Sequence, residues 1–264
     1  SEHPCDGVWI DLDAVLDAAG EEQLDEAASV AARLGVTGLV GGTSALGRTR
    51  VPESLGTLLR GTPEERAPWD LALASDPSTL DEASAWCART GGQLVLPEAT
   101  IRSLGAGALD RLGSAGAVAA IWSEDAEGEA LELARSADDW TGFHGGLEFA
   151  TAFRAGAGAL AGPIPILHPG LAMALHELCR DHVERAHDAE RRLARWLETS
   201  LLPASRAVGL ERRAISRAAL EVGGWLSTGR LHLGDAGMEL RRELIELLAS
   251  LHLRDVVELW SDAP

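Results

Sequence analysis

Residues Gly116–Asp125 read G-A-V-A-A-I-W-S-E-D. The run is small or apolar as far as Trp122 and turns acidic at Glu124 and Asp125. A short apolar run bounded by glycine and a polar turn is the pattern of a strand buried on both faces, as in a parallel sheet. In a parallel barrel, the groups just past the C-terminal strand ends line the active site. Trp122 and its neighbours therefore stand where function would be decided.

Working outward, the same unit repeats. A helix ends in Arg or Leu, a glycine follows, and a short apolar strand begins, at Arg33–Gly35, Arg89–Gly91, Leu112–Gly113 and Arg154–Gly156. Glycine at a helix stop with a short link into a strand marks the αβ joint of a βα-repeat fold. Seven strands are expected: Val8–Asp13, Gly38–Thr43, Trp69–Ser75, Gln93–Pro97, Val118–Trp122, Thr141–Gly145 and Gly158–Gly162. Helices are expected between them, such as Glu21–Leu34, with Leu24, Ala27, Val30, Ala31 and Leu34 on one face. Others are Thr79–Arg89, capped by Ser78, and Gly128–Ser136. From Gly170 onward the periodicity is wholly helical, over Leu171–Arg185, Asp188–Val208, Glu211–Leu226 and Ala236–Leu251. The reading is an α/β chain: a TIM-type barrel over residues 1–169, with helices of residues 170–264 packed on it as one domain.

Composition narrows the function. The chain has 264 residues, 46% hydrophobic, enough for one large barrel. Its formal charge of −18 argues against nucleic acid, whose phosphates need clustered basic groups, and against an anionic membrane surface. No run of roughly 18 or more apolar residues occurs to span a bilayer. The opening S-E-H-P-C-D-G has neither a basic region nor an apolar signal core, so a cytoplasmic protein is expected. Cys5, Cys87 and Cys179 lack disulfide or zinc spacing and read as reduced thiols. All 23 basic residues are Arg, and there is no Tyr. No side chain can therefore form a Schiff base, and no phenol can relay a proton.

The motifs resemble one family, the dihydrodipicolinate synthase and N-acetylneuraminate lyase group of class I aldolases. Gly42-Thr43-Ser44-Ala45 stands where that family ends its second strand in G-T-T-G-E. F-H-G-G-L-E-F-A-T-A-F-R-A-G-A-G-A-L-A-G, Phe143–Gly162, looks like its seventh strand, helix and eighth strand. L-A-M-A-L-H-E-L-C, A-E-R-R-L-A-R-W-L-E and E-L-R-R-E-L-I-E-L-L-A-S-L are similar to its C-terminal helices. The resemblance implies a lyase of biosynthesis, without a cofactor or metal, that oligomerises. The departures are specific. Trp122 takes the place of the family's Schiff-base lysine in G-I-K-D-S, and the catalytic tyrosine is gone. A segment is also missing between Leu96 and Val118. The barrel is therefore expected to be shortened by one βα unit, with Leu94–Glu98 matching either the fourth or the fifth strand.

Several residues are candidates for a site. The resemblance makes Thr43 and Ser44 a seat for a substrate carboxylate, against a plain polar turn. Trp122 either stacks on a substrate or fills the space left by the lost lysine. Glu98, Glu124 and His144 follow strand ends and could supply acid/base catalysis, with His144 favoured for its pKa; the alternative for each is a solvated loop residue. Asp11 and Asp13 alternate on the first strand, so both point one way and need partners or a ligand if that way is inward. His168 is a weaker candidate of the same kind. His176, His182 and His187 lie six and five residues apart, which does not stack metal ligands on one helix face. Expected partners are a carboxylated small molecule and a second copy of the chain, the dimer resting on Trp196, Trp225 and Trp260. The function expected is Schiff-base-independent cyclisation, elimination or hydration; the alternative is a non-catalytic binding protein.

Overall fold

The computed structural model describes residues 3–61, 70–74, 80–104, 112, 116–137, 139–208, 214–227 and 233–253. The expectations at Trp69, Ser75, Ser78, Thr79, Gly113, Glu211 and Trp260 lie outside the described residues. Eight short apolar runs form parallel strands in sequence order. They are β1 Gly7–Asp11, β2 Gly38–Gly41, β3 Gly56–Arg60, β4 Leu71–Leu73, β5 Gln93–Pro97, β6 Val118–Ser123, β7 Thr141–His144 and β8 Ala157–Leu160. The pairing Gly7↔Ala159 and Val8↔Leu160 closes β1 onto β8. The described helices are α1 Leu12–Ala19, α2 Leu24–Leu34, α3 Thr43–Leu46, α4 Leu80–Thr90, α5 Glu98–Ser103, α6 Glu129–Ser136 and α7 Phe149–Ala155. The chain continues through α8 Pro163–Leu167, α9 Pro169–Asp181, α10 Val183–Trp196, a π turn at Leu197–Leu201, α11 Leu202–Ala207, α12 Ala214–Gly223 and α13 Asp235–Ser250.

The strand count corrects the sequence reading. The barrel is not short of a strand, because G-T-L-L-R at Gly56–Arg60 forms β3 and pairs with β2 and β4. Gln93–Pro97 is therefore the fifth strand. β3 escaped notice because only the four residues of α3 precede it where a full helix is usual, and because it ends in an arginine. The first strand also stops at Asp11 rather than Asp13, since Asp11 caps α1 by accepting the Asp13 and Ala14 amides.

The lumen is packed, as in other parallel barrels of eight strands. Trp9, Phe143 and Trp122 climb its axis, with ring centroids 5.2 Å and 5.8 Å apart. Val40, Leu58, Leu73, Val95 and Ala159 fill the space around them. Three rings fit because neighbouring strands give way. A Cβ on Gly38 would lie 2.4 Å from Trp9 Cζ3, and one on Gly56 would lie 3.0 Å from Cη2.

The tail shares the core of the barrel's outer layer. Trp196 and Trp225 are buried, and Trp225 Nε1 donates to Ile166 O at 2.9 Å. Arg217 donates to Ala18 O, joining α12 to α1. The argument for a dimer through Trp196 and Trp225 thus falls away, because both rings are used within the chain. His168 caps α9 through Nδ1, which accepts the Gly170 amide at 3.1 Å. Burial, with Arg241 nearby, pushes its pKa down to about 3, so the ring stays neutral. Among the described residues, no helix is long and apolar enough to cross a membrane.

Candidate functional site at the barrel mouth

Strand parity decides what reaches the mouth. In β3, Leu58 faces the lumen, so Arg60 does too; in β1, Trp9 faces inward and Asp11 follows it. β6 needs a bulge to deliver Trp122. Its register against β5 shifts from Leu94↔Val118 to Val95↔Ala120, leaving Ala119 unpaired. Val118 packs outside, and unbroken alternation from it would turn Trp122 outward and Ser123 inward. The bulge reverses that order.

Four charged side chains gather around the Trp122 indole. The Arg60 guanidinium carbon lies 5.4 Å from the ring centroid, a cation–π contact. Arg60 Nη1 donates to Asp11 Oδ2 at 2.7 Å and to Asp13 Oδ2 at 3.4 Å. Both Asp13 oxygens accept the Gly42 amide at 2.9 Å. Trp122 Nε1 donates to Glu124 Oε1 at 2.9 Å. The side chains of Arg60, Asp11 and Asp13 remain 28%, 19% and 36% exposed, so solvent reaches the cluster. Burial pushes the Asp11 carboxyl up from its usual range, and Arg60 pulls it back. Burial works against the Arg60 charge, but Asp11 and Asp13 outweigh it and hold the guanidinium above its usual value.

The expected residues divide between two places. Trp122, Asp13 and Glu124 meet at the mouth. Thr43 and Ser44 are exposed on the turn after β2, where the neighbouring Gly42 amide already holds a carboxylate. His144 faces away from the lumen, because Phe143 before it faces in. Its ring is fully buried. Burial holds its pKa below the usual value, against the pull of Glu124 and Glu148. Glu98 also lies outside the lumen, accepting Ser123 Oγ at 2.7 Å and pairing with Arg102. A cleft of about 560 Å³ lined by Glu124, Asp125, Glu127 and Glu148 opens on that outer side. His176 is occupied in packing, stacked on Phe149 with Nε2 donating to Gly158 O.

Arg60 was missed together with β3. The available signal was a lone cation closing a short apolar run. A larger cleft, about 690 Å³, lies at the N-terminal strand ends around Cys5, Trp9, Asp70 and Gln93. The mouth is preferred as the site because barrel chemistry gathers at the C-terminal strand ends.

The fold and this mouth define a TIM-type barrel with helices packed on its outside. The solved structures it superposes on are those the sequence resemblance pointed to. The sialic acid aldolase of Ruminococcus gnavus matches with a TM-score of 0.67 and 15% identity, over 96% of this chain and 99% of that one. N-acetylneuraminate lyase from Fusobacterium nucleatum matches at 0.62 and 14%, over 94% and 99%. The 4-hydroxy-tetrahydrodipicolinate synthase of Methylacidiphilum fumariolicum SolV matches at 0.57 and 13%, over 97% and 99%. At such identities the likeness is one of fold. No protein-family model matches the chain, and no curated protein matches it.

Proposed function

We propose that the barrel mouth binds a carboxylated small molecule and carries Schiff-base-independent proton transfer on it, as in elimination, hydration or cyclisation. The observation behind this reading is the convergence of Arg60, Asp11 and the Gly42 amide above Trp122. A carboxylate can be oriented by a guanidinium and an amide fixed in advance by the fold. Asp11, whose carboxyl burial pushes up while Arg60 pulls it back, then moves a proton on the carbon that reacts. Arg60 offsets the negative charge that develops when the proton leaves. This moves the acid/base role from His144 to Asp11, with Glu124 holding the indole; His144 and Glu98 support the outer side of the same strands. A cytoplasmic location goes with the reading, supported by three buried free thiols.

The mutual pairing of the mouth's charged groups favours a second reading, a non-catalytic binding protein. One experiment separates the two. Small carboxylic acids are incubated with the protein in heavy water, and exchange is followed by NMR at the carbon beside the carboxylate or, for pyruvate, at the methyl beside the ketone. The catalytic reading expects exchange with the wild type, loss of exchange but not of binding in Asp11→Asn, and loss of binding in Arg60→Met. Binding that depends on Arg60 without any exchange would favour the second reading. Borohydride with pyruvate should leave no adduct on a side chain, and a stable side-chain adduct would overturn the Schiff-base-independent mechanism.

A further inference from the structure

We propose that Asp13 is a built-in occupant of the carboxylate seat, which a ligand must displace in order to bind. The inference rests on the carboxylate-binding reading above and goes beyond it by assigning a residue that sets affinity. Both Asp13 oxygens share the single Gly42 N–H, and one of them reaches Arg60. These are the two groups that a ligand carboxylate would use. The side chain therefore already makes, from within the chain, the contacts of a bound acid.

The two aspartates on Arg60 differ in how firmly they are held. Asp11 accepts the Asp13 and Ala14 amides with Oδ1 and binds Arg60 at 2.7 Å with Oδ2. Moving it would uncap α1 and strip Arg60 of its close partner. Asp13 has a longer contact with Arg60, 3.4 Å, and shares one amide proton between two oxygens. It is also the more exposed, at 36% against 19%. Asp11 is the fixed partner and Asp13 the exchangeable one. The charge count agrees: releasing Asp13 leaves Arg60 and Asp11 one to one, and an incoming carboxylate restores the former balance.

An internal occupant lowers apparent affinity by the fraction of time the seat is free. If that fraction is about a tenth or less, removing the occupant strengthens binding about tenfold or more. Pyruvate serves as the probe, titrated calorimetrically into wild type, Asp13→Asn, Asp13→Ala and Asp13→Ala/Arg60→Met, with pyruvamide as the uncharged control. Thermal melts establish that each variant is folded. The expected result is pyruvate binding at least about tenfold tighter in Asp13→Ala than in wild type. Asp13→Asn should fall between them, pyruvamide should be unaffected, and the gain should vanish when Arg60→Met is added. Should Asp13→Ala not fold, tighter binding by Asp13→Asn than by wild type carries the test. Equal affinity in wild type and the Asp13 variants, with binding still dependent on Arg60, overturns the occupant proposal alone. Binding indifferent to Arg60, or no binding to any folded protein, overturns the carboxylate-binding reading with it.

Discussion

Glu190 gives the fold a pH dependence that one substitution should remove. Its carboxylate reaches from α10 to the start of α7, accepts the Ala150 amide at 2.9 Å and is only 4% exposed. Burial pushes its pKa from 4.5 up to about 7, against the pull of the Ala150 and Phe149 amides. The folded-state value thus lies above the unfolded one. The folded protein binds more protons between these values, so the contribution to stability is full below pH 4.5 and is lost as pH rises through about 7. At about 1.4 kcal/mol per unit, the shift amounts to roughly 3 kcal/mol. Glu190→Gln keeps an acceptor for Ala150 but cannot ionise. Urea unfolding followed by tryptophan fluorescence, from about pH 4.5 to about pH 8, should show the variant gaining roughly 3 kcal/mol on the wild type. His144 and His168, whose pKa values are lowered, give the opposite slope below 6.5, but they do so in both proteins and cancel in the difference. Parallel stability curves would refute the reasoning, since they would mean that Glu190 ionises in the folded chain as easily as in the unfolded one.

Phe143→Ala should cost about 3–5 kcal/mol in the same assay, because the ring is fully buried between Trp9 and Trp122 and leaves a cavity in the lumen. A loss below about 1 kcal/mol would show that the lumen is not packed around it. Burial pushes the Cys5 and Cys179 thiols up to about 12 and Cys87 to about 11. All three should resist a thiol-reactive dye in the native protein and react together in urea; prompt native labelling of any one would contradict its burial.

Much of the fold was legible because it depends on local rules. The helix-stop glycines Gly35, Gly91 and Gly156 all have the positive φ that glycine adopts without strain. The apolar runs of β5, β6 and β7 lie where the sequence placed them, and the helical tail begins at α9 as its periodicity required. β3 was hidden because G-T-L-L-R is too short for a periodic signal and has no long helix before it. The mouth was legible in part. Trp122, Asp13 and Glu124, all candidates from the sequence, lie around the mouth. His144 was expected beside them, yet adjacent strand residues face opposite ways, so a single bulge in β6 and the parity of β7 decide who meets whom. Neither leaves a mark in composition, and the bulge at Ala119 lies in a run where one small residue looks like the next.

Around the Trp122 indole, the mouth is a chain of linked requirements. Trp122 ends the aromatic column, and its outward face is an electron-rich surface that suits a cation; Arg60 supplies it from β3. A partly buried guanidinium in turn needs an anion at hydrogen-bonding distance, or its desolvation goes uncompensated. Asp11 meets that need, and its position is secured because the same carboxylate caps α1. A second carboxylate, Asp13, then lies within reach of both Arg60 and the amide that ends β2. Its charge exceeds what Arg60 needs, and it is the least enclosed of the three. Strength of attachment therefore falls along the series, from the stacked ring through the fixed pair to the exposed aspartate. A ligand acid entering from solvent meets the weakest link first, and the two groups that link releases are the ones able to hold its carboxylate.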